Sequence, residues 1–259
     1  TPPTVEDGRE ATAEEAAAGV YKNPAFAKLE GLVLDMKLLC EAKQSDLRSM
    51  LEPLTQAYTE WIELEKAKVK NPAESLAEFE HVANQSILKC ELTLKRILTG
   101  IDLLEDKKNP IVFEAFRFMN HAMWQQRTRS EFSLQVRRGH DADYNHFDVP
   151  KYRSWRAFQL AFILLNLPGV AQLDHAERGE TENALADLLW FPTGGGKTEA
   201  YLGLTAFTLA IRRLQGTIEG RSGENGVAVL MRYTLRLLTL QQFQRATALI
   251  CACELIRRE

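Results

Sequence analysis

At 259 residues the chain can form one large domain or two smaller ones around a buried core. Apolar residues make up 45% and charged residues 26%, ordinary for a soluble globular protein, while a net charge of −3 excludes bulk attraction to nucleic acid and leaves only local basic patches for that purpose. Four cysteines, Cys40, Cys90, Cys251 and Cys253, sit far apart or inside helix-like stretches, and read as small buried hydrophobes in the reducing cytoplasm rather than a disulfide or metal set. No secretory signal opens the sequence, and the longest apolar stretch, around Ala161 to Leu167, is too short to span a bilayer, so no membrane is expected. The sequence starts at Thr1 and stops within a helical pattern at Glu259, and it reads as a piece of a larger protein.

The first part is expected to be helical. Asn23-Pro24, Asn71-Pro72 and Asn109-Pro110 each precede an apolar-periodic run; asparagine suits the N-cap and proline the first helical turn, so each pair predicts a helix start. After Pro24 the apolar positions are Phe26, Leu29, Val33, Met36 and Cys40. After Pro72 they run from Leu76 and Phe79 to Ile97, Ile101 and Leu104, with a further helix marked by Leu54, Trp61 and Leu64 in between. Such stripes predict the seam of an antiparallel bundle. A fourth helix, about Ile111 to Arg129, carries Phe116, Met119 and Met123 on one face and ends near Arg127, Arg129, Arg137 and Arg138, a cluster suited to a phosphate backbone or simply to a solvated helix end. Residues 139–151, with His140, Asp141, Asp143, His146 and Asp148, fit no metal-ligand spacing and are expected to form a linker.

From Tyr152 the pattern changes. Trp155 to Leu167 predicts an apolar helix broken at Pro168-Gly169. Leu188-Leu189-Trp190-Phe191 predicts a buried strand, 198–214 a helix, 215–226 a Gly-rich loop and Val227–Met231 a second strand, with a last helix from about Leu235. The expected fold class is therefore mixed: an all-α domain over 1–138, a linker over 139–151, and over 152–259 the first part of an α/β domain with a parallel sheet.

Chemistry centres on Phe191-Pro192-Thr193-Gly194-Gly195-Gly196-Lys197-Thr198-Glu199, placed between expected strand and helix. Consecutive glycines let backbone N–H groups turn inward as an anion nest, and the helix behind adds its positive end. Lys197 is expected to reach the β- and γ-phosphates of ATP, and the Thr198 hydroxyl to coordinate Mg²⁺. A strict phosphate-loop pattern asks for glycine where Phe191 stands, a departure that matters little for helicase-type loops. Upstream lies Arg156-Ala157-Phe158-Gln159, whose Gln159 amide offers a donor and an acceptor to an adenine edge. Downstream, Arg232, Thr234 and Arg236 in Met231-Arg232-Tyr233-Thr234-Leu235-Arg236 offer donors for a nucleic-acid phosphate, or else internal salt bridges.

Together RAFQLAFILLNLP, DLLWFPTGGGKTEAYLGLTAF and VLMRYTLRLLTLQQFQRA resemble the superfamily 2 helicase component of the bacterial DISARM anti-phage systems, the DrmA family, over roughly 150–259, with FRFMNHAMWQQ (Phe116 to Gln126) agreeing more loosely. The resemblance implies a RecA-like ATPase domain with a Walker A loop at Pro192 to Glu199, an ATP-driven helicase or translocase acting on DNA, and a DrmB-like second subunit. It also implies that Tyr233-Thr234 replaces the usual Pro-Thr of the DNA-gripping motif, with the arginine displaced to Arg236. No Asp-Glu carboxylate pair or second lobe follows within the sequence, so binding without turnover is expected of these residues alone. A duplex translocase without strand separation, and a non-catalytic nucleotide-binding scaffold, remain alternative readings.

Overall fold

The computed structural model describes residues 28–71, 76–179, 182, 184–190, 195–232 and 236–259, with backbone alone at 236–239. Its main helices are α1 (Met36–Glu41), α2 (Leu47–Val69), α3 (Glu80–Glu105), α4 (Pro110–Arg137), the single turn α5 (Pro150–Arg153), α6 (Ala157–Ala171), α7 (Lys197–Gln215) and α8 (Arg236–Arg258). The helix starts expected at Asn23-Pro24 and Asn71-Pro72 involve Asn23, Pro24 and Pro72, outside the described residues. At Asn109-Pro110 the expectation is met, with Asn109 at the N-cap and Pro110 at the first turn of α4.

The chain divides into two compact units, Thr1–Leu32 with Ser49–Lys95, and Val33–Arg48 with Arg96–Glu259. In the first, Leu51, Leu54, Ala57 and Ile62 of α2 are buried, and Lys66 bridges to Glu91 at 2.7 Å. Phe79, in the single turn before α3, and Val82, Leu88 and Leu92, in its early part, are exposed.

The second unit is built around α4, which packs against α1, α7 and α8. Its buried residues, Val112, Phe113, Phe116, Met119, Asn120, Met123, Gln126 and Thr128 among them, cover more than one face, as a central helix requires. The polar ones are paired: Asn120 Nδ2 donates to the Phe116 carbonyl at 2.9 Å, and its Oδ1 accepts from Trp155 Nε1 at 2.8 Å. A buried ion network ties the two sequence stretches of this unit together. Arg153 donates to Asp35 at 2.9 Å and to Asp148 at 2.5 Å, Trp124 Nε1 donates to Asp148 at 2.6 Å, and the Trp155 amide donates to the Leu34 carbonyl at 2.8 Å. Arg96 clamps the loop after α6 through Glu177 at 3.0 Å and Asp187 at 2.6 Å.

Two expectations are corrected. The helix expected to break at Pro168-Gly169 continues to Ala171, with Pro168 inside it. Proline deletes only its own N–H, the one that would serve the Leu164 carbonyl. The helix closes beyond it, the Gln172 amide donating to the Pro168 carbonyl at 2.9 Å, while Leu167 and Ala171 stay buried. Gly100 of α3 packs at that same carbonyl, with no room for a side chain.

The second correction concerns fold class. No parallel sheet and no RecA-like α/β domain forms among the described residues. Their only ladder is an antiparallel pair, β1 (Thr217–Ile218) with β2 (Arg221–Ser222), turned by Glu219 and Gly220, both at positive φ. The expected strand at 188–191 pairs with nothing over Leu188 to Trp190 and is exposed, Leu188 at 86% and Trp190 at 74%, with Phe191 outside the described residues. The expected strand at 227–231 is likewise exposed, with Leu230 at 82%. A parallel strand is buried on both faces and hydrogen-bonded along its edges. Here Arg212 of α7 takes the Asn225 and Val227 carbonyls at 2.7 and 2.9 Å instead. Apolar runs supply the side chains of a sheet but not the neighbours that close it.

Candidate nucleotide-binding site

Gly196 is the N-cap of α7 at φ 87°, ψ 24°, a left-handed conformation that costs a residue with a Cβ roughly 1–2 kcal/mol. Two side chains from the start of α6 hold the loop there. Arg156 Nη1 donates to the Gly195 carbonyl at 3.1 Å, and Gln159 Nε2 donates to the Gly196 carbonyl at 2.7 Å. Across a trans peptide the N–H points opposite to the C=O. Tying these two carbonyls to α6 therefore aims the N–H groups of Gly196 and Lys197 the other way, as a phosphate nest needs. Gln159 is itself buried and fixed, because its Oε1 accepts from the Arg156 amide at 2.7 Å in the manner of a helix-capping residue.

Glu199, in the first turn of α7, is the only described carboxylate bonded to the arginines here. Its Oε1 accepts from Arg127 Nη1 of α4 at 3.2 Å and from Arg245 Nη2 of α8. Its Oε2 is buried without a hydrogen-bond partner among the described residues and lies 3.4 Å from the point where a Cβ on Gly196 would sit. Burial pushes the Arg127 guanidinium below its usual range, with the charge of Glu199 acting in the opposite direction. Arg127 and Arg245 thus converge on the first turn of α7 through Glu199, beside the loop carbonyl held by Arg156.

Of the residues singled out in the sequence, Gly195, Gly196, Lys197, Thr198 and Glu199 are thus brought together with Arg156 and Gln159. Pro192, Thr193, Gly194 and Thr234 lie outside the described residues, as does the side chain of Arg236. Arg232 is exposed at the rim of a groove of about 330 Å³ that it shares with Phe162, Tyr201 and Thr205. The described residues offer no group of three or more acidic, His or Cys ligands. Sequence reasoning missed the roles of Arg127 and Arg245, which stand 72 and 46 residues from Glu199 with no spacing signal to join them. The capping role of Gln159 had a signal, the three-residue step from Arg156 at a helix start.

The DISARM protein DrmA of Bacillus paralicheniformis is 42% identical to this chain over 238 residues, or 90% of the chain. Over those residues the chain is DrmA-like. The match spans 20% of the length of that relative. No protein-family model matches the chain. No described helix is long and apolar enough to cross a membrane.

Proposed function

We propose that these residues form the ATP-binding part of a DISARM DNA helicase or translocase in bacterial anti-phage defence, working with a DrmB-like second subunit. The similarity to a DISARM protein supports the role in defence. The observation that carries the nucleotide reading is the pair of carbonyls at Gly195 and Gly196 held by Arg156 and Gln159, which turns the next two amides toward a ligand at the start of α7.

In this reading Lys197 extends its ammonium to the terminal phosphates, Thr198 offers its hydroxyl to Mg²⁺, and Pro192 to Gly194 complete the loop. Magnesium, when bound, neutralises developing charge on the phosphate oxygens. Gln159 keeps one N–H and one lone pair beyond its two described bonds, so holding the loop and reading an adenine edge are compatible. Arg232, Thr234 and Arg236 are assigned to the phosphates of DNA.

The test is Lys197→Ala in the full protein. ATP-dependent activity is expected to vanish while the melting temperature stays close to wild type. Retained ATPase would remove Lys197 from this role, and absence of ATP binding by the unaltered protein would remove the whole reading. Strand displacement on overhanging against blunt DNA then separates a helicase from a duplex translocase.

A further inference from the structure

We propose that Arg245 is a positioning residue that links occupancy of the phosphate loop to helix α8 through the carboxylate of Glu199. The inference rests on the nucleotide reading above. Glu199 follows Thr198 directly, so its carboxylate rides on the turn that would carry the ligand. One oxygen, Oε1, is shared by guanidinium groups from two other helices, Arg127 of α4 and Arg245 of α8. The other, Oε2, is buried, has no partner among the described residues and faces Gly196. A carboxylate with one oxygen doubly used and the other bare is poised to respond to a new charge beside it.

Polyphosphate arriving at Gly196 and Lys197 brings several negative charges close to Glu199. It repels the carboxylate and competes for its guanidinium partners, in a partly buried setting where such forces are weakly screened. The two arginines are not equally free to answer. Arg127 is anchored a second time, its Nε donating to the Tyr152 carbonyl at 2.7 Å. Arg245 has Glu199 as its ion partner among the described residues and is partly exposed. The response therefore falls on Arg245, and with it on α8, which packs against both α4 and α7. Arg232 and Thr234 precede α8 in the sequence and Arg236 opens it, so the same helix carries the signal toward the segment assigned to DNA.

Hydrogen–deuterium exchange of the full protein, with and without a slowly hydrolysed ATP analogue and Mg²⁺, tests this. In the wild type, amides at 195–200 gain protection, and those around Arg245 change by roughly threefold, the scale of a partly exposed ion pair. Arg245→Gln is expected to keep the protection at 195–200 and lose the change in α8. A full α8 response in Arg245→Gln overturns the inference. So does a wild type in which only 195–200 responds, an outcome that leaves the nucleotide reading standing. No response at 195–200 in the wild type defeats both. If Arg245→Gln melts too low to be measured, Glu199→Gln is read in its place. It keeps the side-chain shape without the charge, and an undiminished α8 response in that variant is equally fatal.

Discussion

Gly100→Ala tests how closely α3 and α6 approach within the second unit. A Cβ built on Gly100 falls 2.0 Å from the Leu164 carbonyl oxygen and 2.9 Å from its carbon, both backbone atoms that no rotamer change can move. An ordinary carbon–oxygen contact is about 3.3 Å, so the two helices must part by roughly 1 Å. Alanine is the better helix former by about 1 kcal/mol, which works in favour of the variant. Overpacking of a tight core contact costs about 1–3 kcal/mol and sometimes more. Because the clash is with main chain, the upper end applies, and a net loss of about 2 kcal/mol is expected. For a chain of this size that corresponds to a melting temperature lower by roughly 4–8 °C. Urea unfolding followed by circular dichroism checks the same difference as a lower midpoint at unchanged slope. A melting temperature equal to or above wild type would show that α3 and α6 do not meet as described.

Gly196→Ala is expected to weaken nucleotide binding by at least tenfold in a fluorescent-nucleotide titration, because its Cβ would fall 2.8 Å from Gln159 Nε2 at a left-handed position. Unchanged affinity would refute the placement of this loop. Burial works against ionisation of Asp148, but hydrogen bonds from Arg153 and Trp124 and the charges of Arg153 and Lys37 outweigh it and hold the carboxyl below its usual range. A depressed carboxylate stabilises the fold above its unfolded pKa of about 4 and loses that contribution as pH falls through the folded value. Acid unfolding of the wild type should therefore include a step below about pH 4 that Asp148→Asn lacks; identical acid profiles would refute the assignment. Burial pushes the Cys253 thiol up to about 12 and raises that of Cys40, so a maleimide or disulfide reagent should modify exposed Cys251 well before either. Mass spectrometry at partial labelling shows the order, and early loss of Cys253 would refute its burial.

What the sequence discloses is mostly local. The start of α4 follows from Asn109-Pro110, and the start of α7 from glycines running into Lys197-Thr198, because caps and helix ends are decided by a few neighbouring residues. Pro168 misleads because a single missing donor is tolerated when the residues beyond it are buried. The sheet misleads for the opposite reason: Leu188–Trp190 and Val227–Met231 have strand-like composition, yet pairing depends on partners that a periodicity cannot display. At the site, Gly196 and Lys197 are legible from the motif. The arginines from α4 and α8 are not, since Arg127 looks from its sequence context like part of a basic helix end.

The link between Asp35 and Arg153 also bears on how the protein is made. Those partners are 118 residues apart, with α1 to α4 translated between them. A nascent chain at the ribosome exposes Leu34 and Asp35 long before Arg153 and the Trp155 amide emerge to pair with them. Translation stalled anywhere short of α5 therefore leaves Asp35 without its guanidinium partner and this unit open at its start.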